Sequence, residues 1–284
     1  AVSGREVIVR YISMQPVDEE SLPSAVKFEA DKYIPFDLEE VVLDSQKLDE
    51  TSLGLGTGAE MKVLLVAAKR SLIEQRVQLL KKAGLYPIII DVDSFALGNA
   101  FVLKGILSPR AEVEGKVVAL VDIGATKTNI NIMIGNTSFF TREIYLGGNE
   151  FTEKIRQGME ITTEQAEILK RNPDIYALEI QEAVSPVIDD LANEVILSFD
   201  YFESQFEKKV EEIFLSGGGS QLFSLDLDLE RIFHNFDKKF DKRINRWDPT
   251  ENFEISKQLN GDDLRANAPQ LAIAVGLASR IKKM

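Results

Sequence analysis

Residues 121–136 read VDIGATKTNINIMIGN, and this stretch decides the fold. The apolar run that leads into it, VVALVDIG at 117–124, is typical of a buried strand. Beyond the turn, apolar residues alternate at Ile130, Ile132 and Ile134, which is typical of a second strand. We therefore predict a hairpin whose turn carries an acid, a glycine and two threonines.

The turn of this hairpin suits a phosphate group. Gly124 and Ala125 allow the backbone to approach an anion closely, and successive amides in such a turn form an anion-binding nest. The hydroxyls of Thr126 and Thr128 would add donors, and an inward-pointing Lys127 would add charge. Taken alone the pattern is weak, and an ordinary hairpin turn with an acidic residue remains an alternative.

Asp122 needs a separate interpretation, because a carboxylate repels a phosphate. It is useful if a hydrated Mg²⁺ lies between the acid and the phosphate. The sequence therefore indicates a metal ligand at Asp122 that acts through water.

A second glycine loop follows about 90 residues later, in FLSGGGSQL at 214–222. Three consecutive glycines cost conformational entropy when they become ordered, whereas a plain strand-to-helix loop needs only one. They are useful where a flat or bulky ligand lies against the backbone. The beginning of a helix after them would also favour a phosphate.

Composition excludes several classes of protein. The 284 residues carry a net charge of −13, which argues against generic binding to nucleic acid or to anionic membranes. The absence of cysteine rules out disulfides and thiolate metal sites. The single histidine, His234, rules out a multi-histidine metal site and makes a histidine-based triad a poor hypothesis. No apolar run reaches the roughly 18 residues that a membrane-spanning helix needs.

Hydrophobic periodicity predicts the remaining elements. In the first half we predict strands at 6–14, 39–48 and 61–69, a helix from Leu22 to Tyr33, a Gly/Thr-rich loop at 51–60, a helix at 70–84, a short buried strand at 86–92, a helix at 93–105 and a polar boundary at 108–115. In the second half we predict a strand at 137–146, a loop running into a helix at 147–159, helices at 162–172 and 184–206, a basic run near Lys238 to Arg246, and a closing helix at 267–283.

An ordered series of motifs resembles the PilM family of type IV pilus proteins, within the actin-like ATPase superfamily. The series comprises AVKFEADKYIPFDLEEVVLDSQKL at 25–48, LLKKAGLYPIIIDVDSFALGNAF at 79–101, VALVDIGATKTNINIMIGN at 118–136, FTREIYLGGNEFTEKI at 140–155, AEILKR at 166–171, EEIFLSGGGSQL at 211–222 and NAPQLAIAVGLASR at 267–280. The resemblance implies an α/β, actin-like, two-lobed fold with a small inserted β-α-β-β subdomain, similar to the SHS2-type subdomain of the cell-division protein FtsA. It implies an inserted subdomain at 1–60, part of the first lobe at 61–112 completed by 261–284, and a second lobe at 113–260.

The resemblance also implies a site for ATP or ADP with Mg²⁺. The residues that match the family's nucleotide motifs are Gly124, Ala125, Thr126, Lys127, Thr128, Gly147, Gly148, Glu167, Lys170, Gly217, Gly218, Gly219 and Ser220. Catalytic roles are implied for Asp122 and Asp93, at most in a slow ATPase that acts as a conformational switch. A surface ion pair at Glu167 and Lys170, and helix capping by Asp93, remain the plain alternatives.

One motif of the superfamily is missing. Actin-like proteins carry a first phosphate motif of the form D-I-G-S/T before the inserted subdomain, and none precedes Ala1 or occurs elsewhere. We therefore expect the sequence to lack an N-terminal portion, either because it was omitted or because the protein is a natural fragment. Nucleotide binding by residues 1–284 alone is then expected to be weak.

The function implied by the resemblance is a cytoplasmic scaffold of the pilus assembly platform. It would attach to the inner membrane through the cytoplasmic N-terminal segment of the membrane protein PilN, without inserting in the membrane or binding nucleic acid. Tyr33, Ile34 and Phe36 are candidates for lining the peptide groove, with plain core packing as the alternative. The assembly ATPase, the platform protein and a second copy of the chain are further expected partners. An FtsA-like filament protein and a nucleotide-free interaction module are the alternative functions, whereas a sugar or acetate kinase would need a catalytic base that the sequence lacks.

Overall fold

The computed structural model describes residues 1–48, 60–107, 115–237, 244–251 and 253–280. The chain divides into two compact units, Ala1–Asp93 and Ser94–Met284. Three predicted features lie wholly or mostly outside the described residues: the Gly/Thr-rich loop, the polar boundary segment with its domain boundary at 112/113, and most of the basic run.

The first unit contains a three-stranded antiparallel sheet in the order β1-β3-β2. Its elements are β1 (Val7–Met14), α1 (Leu22–Ala30), β2 (Val41–Lys47), β3 (Met61–Lys69) and α2 (Arg70–Lys82). The apolar side chains of α1, Leu22, Val26 and Ala30, are buried in one core with residues of all three strands. The predicted β-α-β-β order is therefore observed, and the sheet continues across the predicted boundary between residues 60 and 61, since β3 is its central strand.

The predicted buried strand at 86–92 is wrong. Within the described residues this segment makes a single isolated parallel bridge, between Val92 and Val2. Tyr86 and Ile88 are 81% and 83% exposed. An apolar, β-branched run favours an extended backbone locally, but a strand forms only where a partner backbone accepts its hydrogen bonds.

The three candidate groove residues have different environments. Ile34 is buried in the core of the first unit, and Phe36 packs against that core while remaining partly exposed. Tyr33 is exposed at the surface. Core packing therefore accounts for Ile34, and it leaves Tyr33 and Phe36 accessible.

The second unit is built on a five-stranded mixed sheet in the order β6-β5-β4-β7-β8. Its strands are β4 (Val117–Ile123), β5 (Thr128–Ile134), β6 (Thr137–Ile144), β7 (Glu212–Ser216) and β8 (Ile244–Arg246). The predicted hairpin is confirmed: β4 pairs antiparallel with β5, and every residue of both strands is buried. On the other side of β4, β7 runs parallel to it.

Helices complete the second unit. They are α3 (Asp93–Leu107, which begins at the last residue of the first unit), α4 (Gly148–Met159), α5 (Thr163–Arg171), α6 (Ala177–Phe206), α7 (Leu225–Phe236), α8 (Gly261–Ala266) and α9 (Ala272–Ala278). Thr162 caps α5, because its hydroxyl accepts from the N–H of Gln165 while the Gln165 side chain accepts from the N–H of Thr162. The helix predicted directly after the glycine loop is a 3-10 turn at Gly218–Gln221, and α7 follows it.

Among the described residues, no helix has both the length and the apolar character needed to cross a membrane.

Candidate functional site

The candidate site lies where β4 and β7 end side by side. In the parallel register of these strands, Asp122 is paired with Ser216. Both side chains are buried, and the Ser216 hydroxyl donates a 2.8 Å hydrogen bond to Oδ1 of Asp122. Because parallel strands end at the same edge of a sheet, the turn after Asp122 and the glycine loop after Ser216 leave the sheet together.

Two of the three consecutive glycines are required by packing against Ile123. A Cβ on Gly217 would lie 2.3 Å from the Ile123 carbonyl oxygen, and one on Gly219 would lie 2.4 Å from Ile123 Cγ2. Gly217 also has φ of +82°, a backbone conformation that other residues rarely adopt. The glycine loop therefore closes directly onto the end of β4.

Gly218 is different, because no close packing requires a glycine there. The nearest atoms to a Cβ at this position belong to the Gln270 side chain, at 3.6 Å, which is ordinary van der Waals contact. Gln270 lies on the 3-10 turn before α9, and the carbonyl of neighbouring Pro269 accepts a 2.7 Å hydrogen bond from the N–H of Gly217. Pro269 and Gln270 thus lie against the glycine loop.

A third segment, Gly147–Gly148 at the beginning of α4, contacts the hairpin turn. A Cβ on Gly147 would lie 2.7 Å from the Gly124 carbonyl oxygen. The N–H groups of Gly148 and Asn149 donate 2.8 Å hydrogen bonds to the carbonyls of Gly124 and Ala125. These helix N-terminal amides hold the turn in place, so they are not available to an anion.

Several donors predicted for phosphate make internal contacts instead. The hydroxyl of Thr128 donates to the Leu146 carbonyl at 2.8 Å, and Lys127 forms a 3.0 Å ion pair with Glu143. Ala125 and Thr126 are exposed, and within the described part of the chain their N–H groups meet no acceptor. The turn therefore offers an anion two adjacent backbone amides and the Thr126 hydroxyl.

A buried lysine lies beside these segments. Lys170 Nζ contacts Thr152 Oγ1 at 2.7 Å, Glu167 Oε1 at 2.6 Å and the Gly148 carbonyl at 3.2 Å. Its side chain is 6% exposed, whereas that of Glu167 is 44% exposed. The pair is therefore not a surface ion pair. The buried ammonium of Lys170, on α5, donates to Gly148 and Thr152 and so links α5 to the beginning of α4.

The pKa of Glu167 follows from this cluster. Burial acts to raise the pKa of its carboxyl, but hydrogen bonds from Lys170 and Thr152 and the positive charge of Lys170 lower it. The net result is a pKa below the ordinary glutamate value. The carboxylate therefore remains ionised at neutral pH and keeps the buried ammonium paired.

The remaining predicted residues are Ser220 and Asp93. Ser220 is buried, and its hydroxyl donates to the Gly217 carbonyl at 2.7 Å, which stabilises the glycine loop. Asp93 belongs to the first unit, where its N–H donates to the Val2 carbonyl at the beginning of α3.

Among the described residues there is no cluster of three or more acidic or histidine side chains that could hold a metal. Asp122 would suit a Mg²⁺ that is held mainly by phosphate and water with one carboxylate.

The structure thus brings the turn at 124–128, Gly147–Gly148, the Glu167–Lys170 pair and the loop at 217–220 together in one unit. Sequence reasoning missed Thr152, Pro269 and Gln270, which contact these segments. A threonine within a helix and a Pro-Gln pair before one carry no local signal of such contacts, because their partners are distant along the chain.

Comparison with known proteins gives the family. The model of the type IV pilus assembly protein PilM family matches residues 1–282. A solved structure of a PilM–PilN type IV pilus biogenesis complex is 30% identical, covers 98% of this chain and 77% of that chain, and superposes with a TM-score of 0.80.

More distant relatives agree with an actin-like α/β fold. The cell division protein FtsA of Bacillus subtilis (strain 168) is 28% identical over 117 residues, which span 41% of this chain and 25% of that protein. The ethanolamine utilization protein EutJ from Carboxydothermus hydrogenoformans is 18% identical, with a TM-score of 0.50 over 72% of this chain and 60% of that chain. Because the family model matches residues 1–282 and the fold agrees with the solved structure, the chain belongs to the type IV pilus assembly protein PilM family.

Proposed function

We propose that this chain is a nucleotide-responsive scaffold of the type IV pilus assembly platform, cytoplasmic and attached to the inner membrane through PilN. The observation that carries the nucleotide part is the convergence of three glycine segments on the carboxyl ends of β4 and β7. Two of the loop's three glycines are explained by packing on Ile123, and Gly218 is not. A flat group of a bound ligand lying against Gly218 would explain why a glycine occurs at this third position.

The residues present fit ATP or ADP with Mg²⁺. The free N–H groups of Ala125 and Thr126 would bind a phosphate, and Gly218 would lie against the adenosine. Asp122, fixed by Ser216, would accept a hydrogen bond from water on the metal. The magnesium ion would supply charge neutralisation for the phosphates.

Calorimetry with ATP and Mg²⁺ tests this proposal. Gly218→Val should abolish binding, because the added side chain occupies the space of the base while its Cβ meets only ordinary contacts. Gly105→Val is the control, since a Cβ on this exposed helical glycine would meet no heavy atom within 4 Å. Unchanged affinity in Gly218→Val would remove the adenosine-loop assignment.

Any hydrolysis should be slow and act as a switch. Asp122 accepts a hydrogen bond from Ser216 and Glu167 accepts one from Lys170, and both bonds make these carboxylates poorer general bases. Asp122 would orient the hydrated metal, and Asp93 is the further predicted catalytic residue. Turnover at the roughly 1–100 s⁻¹ that is typical of kinases would contradict the scaffold role.

The partner proposal is the cytoplasmic N-terminal segment of PilN, bound in a groove of the first unit. It is supported by the similarity to the protein solved as a PilM–PilN complex and by the accessible rings of Tyr33 and Phe36. Anisotropy of a labelled PilN peptide should show binding that Tyr33→Ala weakens. Exposed Tyr201→Ala, in the second unit, is the control. Equal weakening by both variants would contradict the groove.

A nucleotide-free interaction module is the second candidate function. The Lys127–Glu143 ion pair and the Thr128–Leu146 hydrogen bond favour it, because both close the turn on itself without a ligand. The same titrations separate the two functions. A module of this kind would bind the PilN peptide and show no heat with ATP.

A further inference from the structure

A surface patch on the second unit lies at the beginning of α6 and in the 3-10 turn at Asp174–Tyr176 that precedes it. Three large apolar side chains are exposed there within four residues: Ile175 at 77%, Leu178 at 72% and Tyr176 at 42%. Monomeric proteins tolerate scattered exposed apolar residues, but a contiguous group of large ones is typical of an interaction surface. We refer to residues 174–182 as the α6 patch.

Helical spacing places acids directly beside these apolar groups. Leu178 lies four residues before Glu182 on α6, so the two share a helix face, and Ile175 lies in the 3-10 turn directly before the helix. Glu179, Glu182 and Asp174 are all exposed. No basic residue occurs between 174 and 182. Three exposed acids therefore lie among the apolar residues of the patch, and the nearest preceding basic residue in sequence is the exposed Arg171.

The α6 patch is continuous with the neighbouring helix. The Gln181 side chain donates a 2.9 Å hydrogen bond to Oδ1 of Asp228 on α7, and adjacent Leu227 is exposed. The basic Arg231 on α7 does not offset the acids of the patch, because it pairs with Asp228 at 3.2 Å. The hydrogen bond thus brings α7 against α6 beside the patch, where the exposed acids of α6 lie next to its apolar groups.

We propose that the α6 patch is a docking site for a short basic amphipathic segment of a partner protein, distinct from the peptide groove of the first unit. Leucine-like anchors of such a segment would bury Ile175 and Leu178, and its lysines or arginines would pair with Glu179 and Glu182. A second copy of this acidic chain is a poorer occupant, because its net charge of −13 would repel the same acids. Charge complementarity therefore selects the basic partner.

A labelled model peptide of about 14 residues, in which leucine repeats at heptad spacing among lysines, tests the site by fluorescence anisotropy. We expect saturable binding to the full chain that weakens as salt rises. The same peptide with glutamate in place of lysine should not bind. Absence of saturable binding by the lysine peptide would overturn the proposal.

Matched variants on the same helix locate the site. Leu178→Ser should weaken binding at least tenfold, whereas Leu197→Ser, at a residue 54% exposed elsewhere on α6, should change it less than twofold. Glu182→Lys and exposed Asp200→Lys form the corresponding charge pair. Equal effects at both positions of each pair would show nonspecific attraction and overturn the proposal. A concentration-dependent dimer in sedimentation that Leu178→Ser abolishes would assign the patch to a second copy instead.

Discussion

The hydroxyl of Ser216 lies 2.8 Å from Oδ1 of Asp122, and it joins two buried side chains at the ends of adjacent parallel strands. The hairpin turn of the candidate site follows Asp122 and the glycine loop follows Ser216, so this hydrogen bond lies where both segments leave the sheet. A buried carboxylate is tolerated only where donors satisfy it. The bond therefore serves stability and also fixes the direction in which Asp122 would face a hydrated metal.

Ser216→Ala should lower the free energy of unfolding by about 1–3 kcal/mol, because a buried acceptor loses a donor. Ser204→Ala is the control, since this exposed hydroxyl donates to the Tyr201 carbonyl at 2.7 Å and water can replace the bond. Its effect should stay within about 0.5 kcal/mol. Denaturant unfolding measures both, and equal values would show that the Asp122 contact contributes nothing specific.

The three consecutive glycines should respond differently to alanine. Gly219→Ala forces a Cβ against Ile123 Cγ2 and should cost about 1–3 kcal/mol, and Gly217→Ala should cost more because its φ is also positive. Gly218→Ala should remain within about 0.5 kcal/mol of the parent protein. Unfolding in denaturant ranks the three variants. A destabilisation of Gly218→Ala equal to that of Gly219→Ala would contradict the distinction on which the nucleotide proposal rests.

Local pattern was sufficient for much of the fold. The apolar runs around Asp122 predict the hairpin of β4 and β5, because both strands are buried along their whole length. The segment at 86–92 shows where such reasoning fails. Its isoleucines indicate a strand, but strand formation depends on a partner that local sequence does not specify.

The candidate site was predicted in part. The loops were located by their glycines, yet the reason for each glycine is a distant contact, such as Gly217 with Ile123. The internal hydrogen bond of Thr128 and the ion pair of Lys127 were not foreseen, since both residues have chemistry that suits a phosphate equally well. The chemistry of a side chain limits which groups it can bind, whereas the packing around it determines which of these groups it contacts.

Lys170→Met should destabilise the second unit by about 1–3 kcal/mol, because Thr152 Oγ1 and the Glu167 carboxylate lose the buried ammonium that donates to both. Lys32→Met is a matched control. Lys32 forms an ion pair of the same i,i+3 spacing with Glu29 at 2.7 Å, but its side chain is mostly exposed, so the change should cost far less than the change at Lys170. Similar losses of unfolding free energy in the two variants would show that burial of Lys170 does not matter.

The contribution of Glu167 to stability should depend on pH in a defined direction. Its pKa in the folded chain lies below its ordinary value of 4.5, because the donors Lys170 and Thr152 outweigh burial. A group with a depressed folded pKa stabilises the protein fully above its unfolded pKa, and loses that effect as pH falls through the folded value. The advantage of the parent protein over Glu167→Gln should therefore be constant near neutral pH and shrink on acidification below about pH 4.5.

Denaturant unfolding at a series of pH values measures this difference. The control is the same exchange in a Lys170→Met background, where the main donor and the positive charge are gone. There Glu167→Gln should have a smaller effect at neutral pH, and the difference between the two backgrounds is the coupling energy of the pair. A pH-independent difference, or an equal effect in both backgrounds, would mean that the ionised Glu167 does not stabilise the buried ammonium beside Gly148.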